Sequence, residues 1–223
     1  MSYYVRLMCQ EDIAQVTEIN REAFPTEWPP ANYRHELQNQ LAHYIVVCDG
    51  EKTTDKIEVK AHSGLTQRLR QLFGLRPLPT NEPPPSDRHY VVGFVGFWVL
   101  ADEAHITAIA VREAYRRHGV GELLLIASID LATELKAHIV TLEVRVSNIV
   151  AQSLYSKYGF IRAGIRRGYY TDNREDGIIM STPEIGLTPF REHFQQLKQI
   201  YSGKWGKPAI NLFGKHPVPP GKR

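Results

Sequence analysis

The stretch Ile109 to Leu125, IAVREAYRRHGVGELLL, constrains this chain more than any other. An apolar run of β-formers leads into a turn bearing Arg116, Arg117, Gly119 and Gly121, and an apolar helix follows at once. A strand, a turn with two arginines and two glycines, and then a helix make one continuous unit here. Val120, Leu124, Ala127, Leu131 and Leu135 mark one face of that helix. Its N-terminus is also a place for an anion: free amides point outward with the positive end of the helix dipole, and glycines let a phosphate approach the backbone. The plain alternative is a strand-to-helix turn with solvated arginines. Two nucleotide motifs are excluded, since the stretch lacks the Lys-Ser/Thr of a P-loop and the third glycine of a dinucleotide fingerprint.

Around this nucleus the periodicities predict a mixed fold. Val5 and Leu7 alternate as in a short strand, and Ile13, Val16, Ile19 and Ala23 recur at helical spacing. FPTEWPP at 24–30 ends that helix, because proline lacks the amide donor and restricts its predecessor. A short helix over about 32–40 follows, then strands at 44–48, 91–100 and 105–111, dense in β-formers. A fifth strand over 139–146 puts Val140, Leu142, Val144 and Val146 on one face and Thr141, Glu143 and Arg145 on the other. Ser147 and Asn148 are N-caps for a helix running to Tyr158. Residues 161–169 and 177–181 read as an antiparallel pair around TDNRED, and a helix over about 190–201 precedes a Gly/Pro/Lys-rich tail. Between the second and third strands, 51–88 reads as an insertion: mixed charge, then Leu65, Leu69, Leu72 and Phe73 at helical spacing, then a proline run from Pro77 to Pro85. It is either a functional loop or a partly extended spacer.

Composition narrows the class. With 43% hydrophobic and 23% charged residues, the 223-residue chain is neither disordered nor fibrous as a whole. Its two cysteines, Cys9 and Cys48, support neither a disulfide framework nor a zinc site, and a reducing compartment fits. The longest apolar run, 91–100, is half a membrane span, and no secretory pattern follows Tyr3 to Leu7. The expectation is a cytoplasmic protein with no membrane partner and no metal. The formal charge of +3 is unevenly spread, since seven of the 27 Lys/Arg but only two of the 24 Asp/Glu fall after residue 183.

The turn at 116–121, RRHGVG, matches Arg/Gln-x-x-Gly-x-Gly/Ala, and the element order β α α β β β α β α β β accompanies it. Both resemble the GNAT (Gcn5-related) N-acetyltransferases, in which this loop holds the acyl-CoA pyrophosphate. Further motifs, EVRVSN at 143–148, AQSLYSKYGF at 151–160, IRRGYY at 165–170 and REDGIIM at 174–180, resemble the RimI family, the bacterial ribosomal-protein alanine N-acetyltransferases. The resemblance covers about 3–50 and 90–183. It departs at the 51–88 insertion, at the tail, and at Gly168 and Thr171, where the family often has a larger polar residue and a proline.

The resemblance implies a GNAT domain over 1–183 interrupted by the insertion, followed by a C-terminal helix and basic tail over 184–223. It implies a mixed, mostly antiparallel sheet with a splayed central strand pair. It implies acetyl-CoA as co-substrate, held by Arg116, Arg117, His118, Gly119, Val120, Gly121 and Glu122, by the backbone of Ile109, Ala110 and Val111, and by Asn148. Glu143 would accept the acceptor's proton, a modest task because a peptide α-amine has a pKa of about 7.7 to 8.0. Tyr155 would supply a proton to the leaving thiolate. A solvent-facing strand glutamate, a packed aromatic and a helix cap are the respective bland readings of Glu143, Tyr155 and Asn148. Phe24, Pro25 and Trp28, with Tyr169 and Tyr170, would wall the slot for an extended peptide N-terminus, or simply pack in the core.

The implied acceptor is the N-terminal alanine of a small-subunit ribosomal protein. Another protein N-terminus, a lysine or a small amine keeps the same chemistry, and a non-catalytic CoA-binding or ribosome-docking module is the reading from another class. The tail residues Lys198, Lys204, Lys207, Lys215, Lys222 and Arg223, with Trp205 and Phe213, suggest a weak RNA contact as the alternative to a solubilising tail.

Overall fold

The computed structural model describes residues 3–26, 31–53 and 89–212. The proposed insertion helix, the proline run and the last eleven residues lie outside them. One eight-stranded sheet in the order β6-β7-β5-β4-β3-β2-β1-β8 organises the chain. Its strands are β1 (Tyr3–Leu7), β2 (Ala42–Thr53), β3 (His89–Leu100), β4 (Glu103–Val111), β5 (Ile139–Arg145), β6 (Ile161–Tyr170), β7 (Glu175–Ser181) and β8 (Ala209–Asn211). The pairings are antiparallel except β4 with β5 and β1 with β8. This is the mixed, mostly antiparallel α/β fold that the sequence resemblance implies.

Helices cover both faces. On one face α1 (Ile13–Ala23) and α2 (Tyr33–Glu36) enclose a cluster including Val16, Ile19, Tyr33, Val46 and Phe94. On the other, α3 (Val120–Glu134), α4 (Ile149–Lys157) and α5 (Thr188–Trp205) share the larger core with Leu123, Leu124, Leu142, Tyr158 and Phe194. The long helix α3 is buried through most of its length, which follows from its being sandwiched between the sheet and α5.

Three elements differ from the sequence reading. The helix expected over 32–40 closes after one turn, because Asn39 bends the chain into β2: its side chain accepts from the Leu41 amide and its carbonyl from that of Ala42. Strand β2, expected over 44–48, extends to Thr53, since pairing with β1 on one side and β3 on the other outweighs the low β-propensity of Asp49 and Gly50. The C-terminal region is built into the domain: Phe190, Phe194, Leu197 and Tyr201 of α5 are core residues, and β8 adds an edge strand. Among the described residues no helix is long and apolar enough to cross a membrane, and no group of three or more His, Cys, Asp or Glu is placed to hold a metal.

Candidate active site

The site begins with a defect in the sheet. Gly96 of β3 pairs with Ala108 and Phe97 with Ile106, so Thr107 is an extra residue on β4 and its hydroxyl donates to the Gly96 carbonyl, 3.2 Å away. Such a bulge bends its strand and raises the local twist. Beside it the β4–β5 ladder stops: pairing runs from Glu103 with Ile139 to Ile106 with Leu142 and goes no further, although both strands continue. The opening is a cavity of about 780 Å³ that passes between the strands. On the α4 side it is lined by Leu142, Val144, Asn148 and Tyr155, and on the opposite side by His105, Glu143, Phe24, Tyr169 and Tyr170.

Alternation along β5 sends Glu143 to the side away from the larger core, where its side chain is 4% exposed. His105 Nε2 lies 3.1 Å from one carboxylate oxygen and Arg166 Nε 2.8 Å from the other. His105 Nδ1 in turn faces the Thr141 hydroxyl at 2.9 Å, and that hydroxyl donates to Glu103 at the surface. A buried carboxylate is costly unless paired, and this clamp supplies the pairing while leaving Glu143 on the cavity wall. Arg166 and His105 were not anticipated as site residues. On β4 His105 lies between Ala104 and Ile106, which face the larger core, and it stands opposite Thr141 of the parallel strand β5, a pairing fixed by strand register.

Tyr155 of α4 is buried on the other side of the split and lines the same cavity. Burial, reinforced by the neighbouring Tyr170, raises its phenol well above the ordinary value. Tyr170 itself is pushed up to about 12, chiefly by burial and then by Tyr169, with Glu143 also contributing, so its ring lies within electrostatic reach of both Glu143 and Tyr155. The two rings Tyr169 and Tyr170 meet edge-on, 5.1 Å between centroids. The Arg145 guanidinium lies 3.9 Å over the Tyr170 ring, and its Nη2 donates to both oxygens of Asp172 at 2.9 and 3.0 Å. Asp172 accepts from the Thr26 hydroxyl at 3.0 Å. The loop after α1 and the β6–β7 turn are thereby tied together across the mouth, with Phe24 and Pro25 lining the cavity beside them. Trp28 lies outside the described residues.

The 116–121 turn is not part of this cavity. Gly119 is the N-cap of α3 with φ +79°, Arg117 has φ +65°, and no side chain caps the helix. Uncapped first-turn amides next to left-handed residues form a concavity suited to an anion, and a group with phosphate oxygens fits that chemistry. Arg117 is exposed, Arg116 donates to the Val111 carbonyl at 3.4 Å, and Val120 is buried in the core. One oxygen of the Glu122 carboxylate accepts from both Lys157 and Tyr158, which turns this side chain toward the end of α4. The side chain of Asn148 caps α4 by accepting from the Ala151 amide at 3.1 Å while the residue lines the cavity. Ile109 lines the cavity, Ala110 turns into the core on the α1 side, and Val111 packs against the larger core.

Comparison with known proteins identifies the family and the fold. The Acetyltransferase (GNAT) family matches residues 84–160. A Bacillus subtilis (strain 168) protein provisionally named ribosomal protein bS18-alanine N-acetyltransferase is 37% identical over 177 residues, covering 79% of this chain and 92% of its own length. An N-alpha-acetyltransferase of Sulfurisphaera tokodaii is 33% identical over 81% of this chain and 93% of its own. The crystal structure of the ribosomal-protein-S18-alanine N-acetyltransferase from Escherichia coli aligns with a TM-score of 0.58 at 26% identity, over 82% of this chain and 94% of that one.

Proposed function

Because the chain belongs to the GNAT family of acetyltransferases, with ribosomal-protein-alanine N-acetyltransferases among its relatives, we propose that it acetylates the α-amine of a protein N-terminus, an alanine-initiated ribosomal protein in the first place. Acetyl-CoA supplies the activated acetyl group. The residues that would hold it are the first-turn amides of α3 with Arg116 to Gly121 for the diphosphate, and the free edge of β4 about Ile109 for the pantetheine amides.

The observation that carries the reading is the placement of Glu143 and Tyr155 on opposite sides of one opening through the sheet. An amine arriving past Phe24 and Tyr170 meets Glu143, and the thioester sulfur on the α4 side meets Tyr155. Glu143 takes the amine's proton, and His105, Thr141 and Glu103 form a hydrogen-bonded path from it to the surface. Tyr155, its proton held firmly by burial, donates a hydrogen bond to the departing thiolate.

The charge pattern of the mouth favours a peptide N-terminus over a polyamine. Multiply charged amines call for carboxylates free to pair with them. Here Glu143 is engaged by His105 and Arg166, and Asp172 by Arg145. A single amine on an extended chain needs one proton acceptor and an apolar wall, which Glu143 and the aromatic pair provide. Mass spectrometry after incubation with acetyl-CoA tests this. The expected product is one acetyl group on the α-amine of an alanine-initiated peptide; acetylation confined to lysine side chains or free polyamines overturns the reading.

A further inference from the structure

The C-terminal helix ends against the turn at the head of α3. A Cβ built on Gly119 would stand 2.8 Å from both Cε2 and Nε1 of Trp205 and 3.0 Å from its Cδ1, so the indole lies against the backbone of the residue that caps α3. Trp205 is the last residue of α5. That helix is anchored independently of the turn: Lys198 bridges to Asp130 of α3 at 2.8 Å, Phe194 meets Tyr158 edge-on, and beyond Trp205 strand β8 pairs with β1. The ring is therefore held from both sides by elements that do not belong to the turn.

Trp205 Nε1, and Nδ1 of His118, which precedes Gly119 in the chain, are buried without a hydrogen-bond partner among the described residues. An unmet buried donor is destabilising, so the indole is retained there against a cost. Because that nitrogen is sealed from solvent, a phosphate oxygen does not reach it in this arrangement. The ring acts on the turn.

We propose that Trp205 is a positioning residue for acyl-CoA. By filling the space beside Gly119 it holds the left-handed cap, φ +79°, in which the first-turn amides of α3 converge on the diphosphate. The proposal rests on the reading of residues 116–121 as the diphosphate site. The buttress comes from a part of the chain beyond the segment matched to the family, which ends at residue 160.

The test compares two acetyl donors in the full-length protein: acetyl-CoA, and S-acetyl-N-acetylcysteamine, which carries the thioester but no diphosphate. Trp205→Ala is expected to raise KM for acetyl-CoA about tenfold while kcat at saturation, and kcat/KM for the short thioester, stay within about twofold. Trp205→Phe, which keeps an aromatic ring, restores most of the acetyl-CoA affinity. A loss shared in equal proportion by both donors marks a merely structural residue and overturns the proposal. Should Trp205→Ala not fold, the same ratio is read on Trp205→Phe and Trp205→Leu, with Leu expected to be the weaker for acetyl-CoA only. A wild-type preference for acetyl-CoA that every variant leaves intact overturns the role of Trp205 alone. A wild-type protein with no preference between the donors overturns the diphosphate reading, and the proposal with it.

Discussion

Glu143 and Tyr155 occupy environments that suit opposite proton tasks. Glu143 is paired with His105 and Arg166, while Tyr155 sits among apolar groups with its phenol raised by burial. Glu143→Gln keeps the size and removes the acceptor, and Tyr155→Phe removes only the hydroxyl. Each is expected to lower kcat by on the order of 10² with little change in acetyl-CoA affinity, measured by steady-state kinetics and calorimetry. Turnover close to wild type in both, with chemistry rate-limiting, would show that the assigned roles are wrong. The pH profile follows from the same groups. The rate should climb as the acceptor amine loses its proton, near its pKa of about 7.7 to 8.0. A phenol whose pKa is raised stays protonated through that range, so no descending limb from Tyr155 is expected below about pH 10. A descending limb near pH 8 that disappears in Tyr155→Phe contradicts this.

Two elements are set by ion pairs, one local and one between segments far apart in the chain. At the start of α1, Arg6 of β1 forks onto Asp12 at 2.6 and 2.8 Å, and the Cys9 amide donates to the same carboxylate at 2.9 Å. Burial pushes the Asp12 carboxyl up, but the hydrogen bond and charge of Arg6 outweigh it and leave the pKa below its ordinary value. A depressed carboxylate stabilises the fold above its unfolded pKa of about 3.9, and that contribution is lost as pH falls through the folded value. Asp12→Asn is expected to cost about 3 to 5 kcal/mol at neutral pH, because it strands a buried guanidinium. It should also flatten the acid limb of stability, as read by urea unfolding across pH. The second element is the tie from Thr26 to Asp172 to Arg145, with Tyr170 beneath the guanidinium. It shapes the mouth through which the acceptor is proposed to enter, so Tyr170→Ala should raise KM for an alanine-initiated peptide more than for acetyl-CoA. An equal rise in both would place Tyr170 outside acceptor binding.

At the scale of the whole molecule the C-terminal segment changes what a substitution in the α3 turn means. Gly119→Val is expected to weaken acetyl-CoA binding severely, whereas Gly50→Val has little effect on it, both by calorimetry. Yet a side chain at 119 meets Trp205 as well as a left-handed backbone, so Gly119→Val should also lower the melting temperature, and Gly119→Ala should be milder in a Trp205→Ala background. Binding and stability that both survive Gly119→Val would remove the turn from the site. Much of this architecture was legible beforehand. Periodicity placed α1, α3, α4 and β3 to β7, because a helix face or a strand face is written in neighbouring residues. Glu143 could be assigned to the polar side of β5 by parity alone, and Tyr155 to α4 by its place after the Asn148 cap. Its partners could not: His105 and Arg166 reach Glu143 from two other strands, and pairing across strands depends on register. The bulge at Thr107, which unzips β4 from β5, is equally absent from local pattern. Trp205 read as a tail aromatic available to stack on bases, with nothing in its surroundings to suggest otherwise. The sequence by itself determined most of the elements, since these follow from local spacing, and its resemblance to the GNAT family supplied the fold class and singled out Glu143 and Tyr155 for the proposed base and acid. The clamp on Glu143, the tie across the mouth and the buttress under Gly119 were decided only by tertiary structure, because each joins residues far apart in the chain whose meeting is fixed by strand order and helix packing.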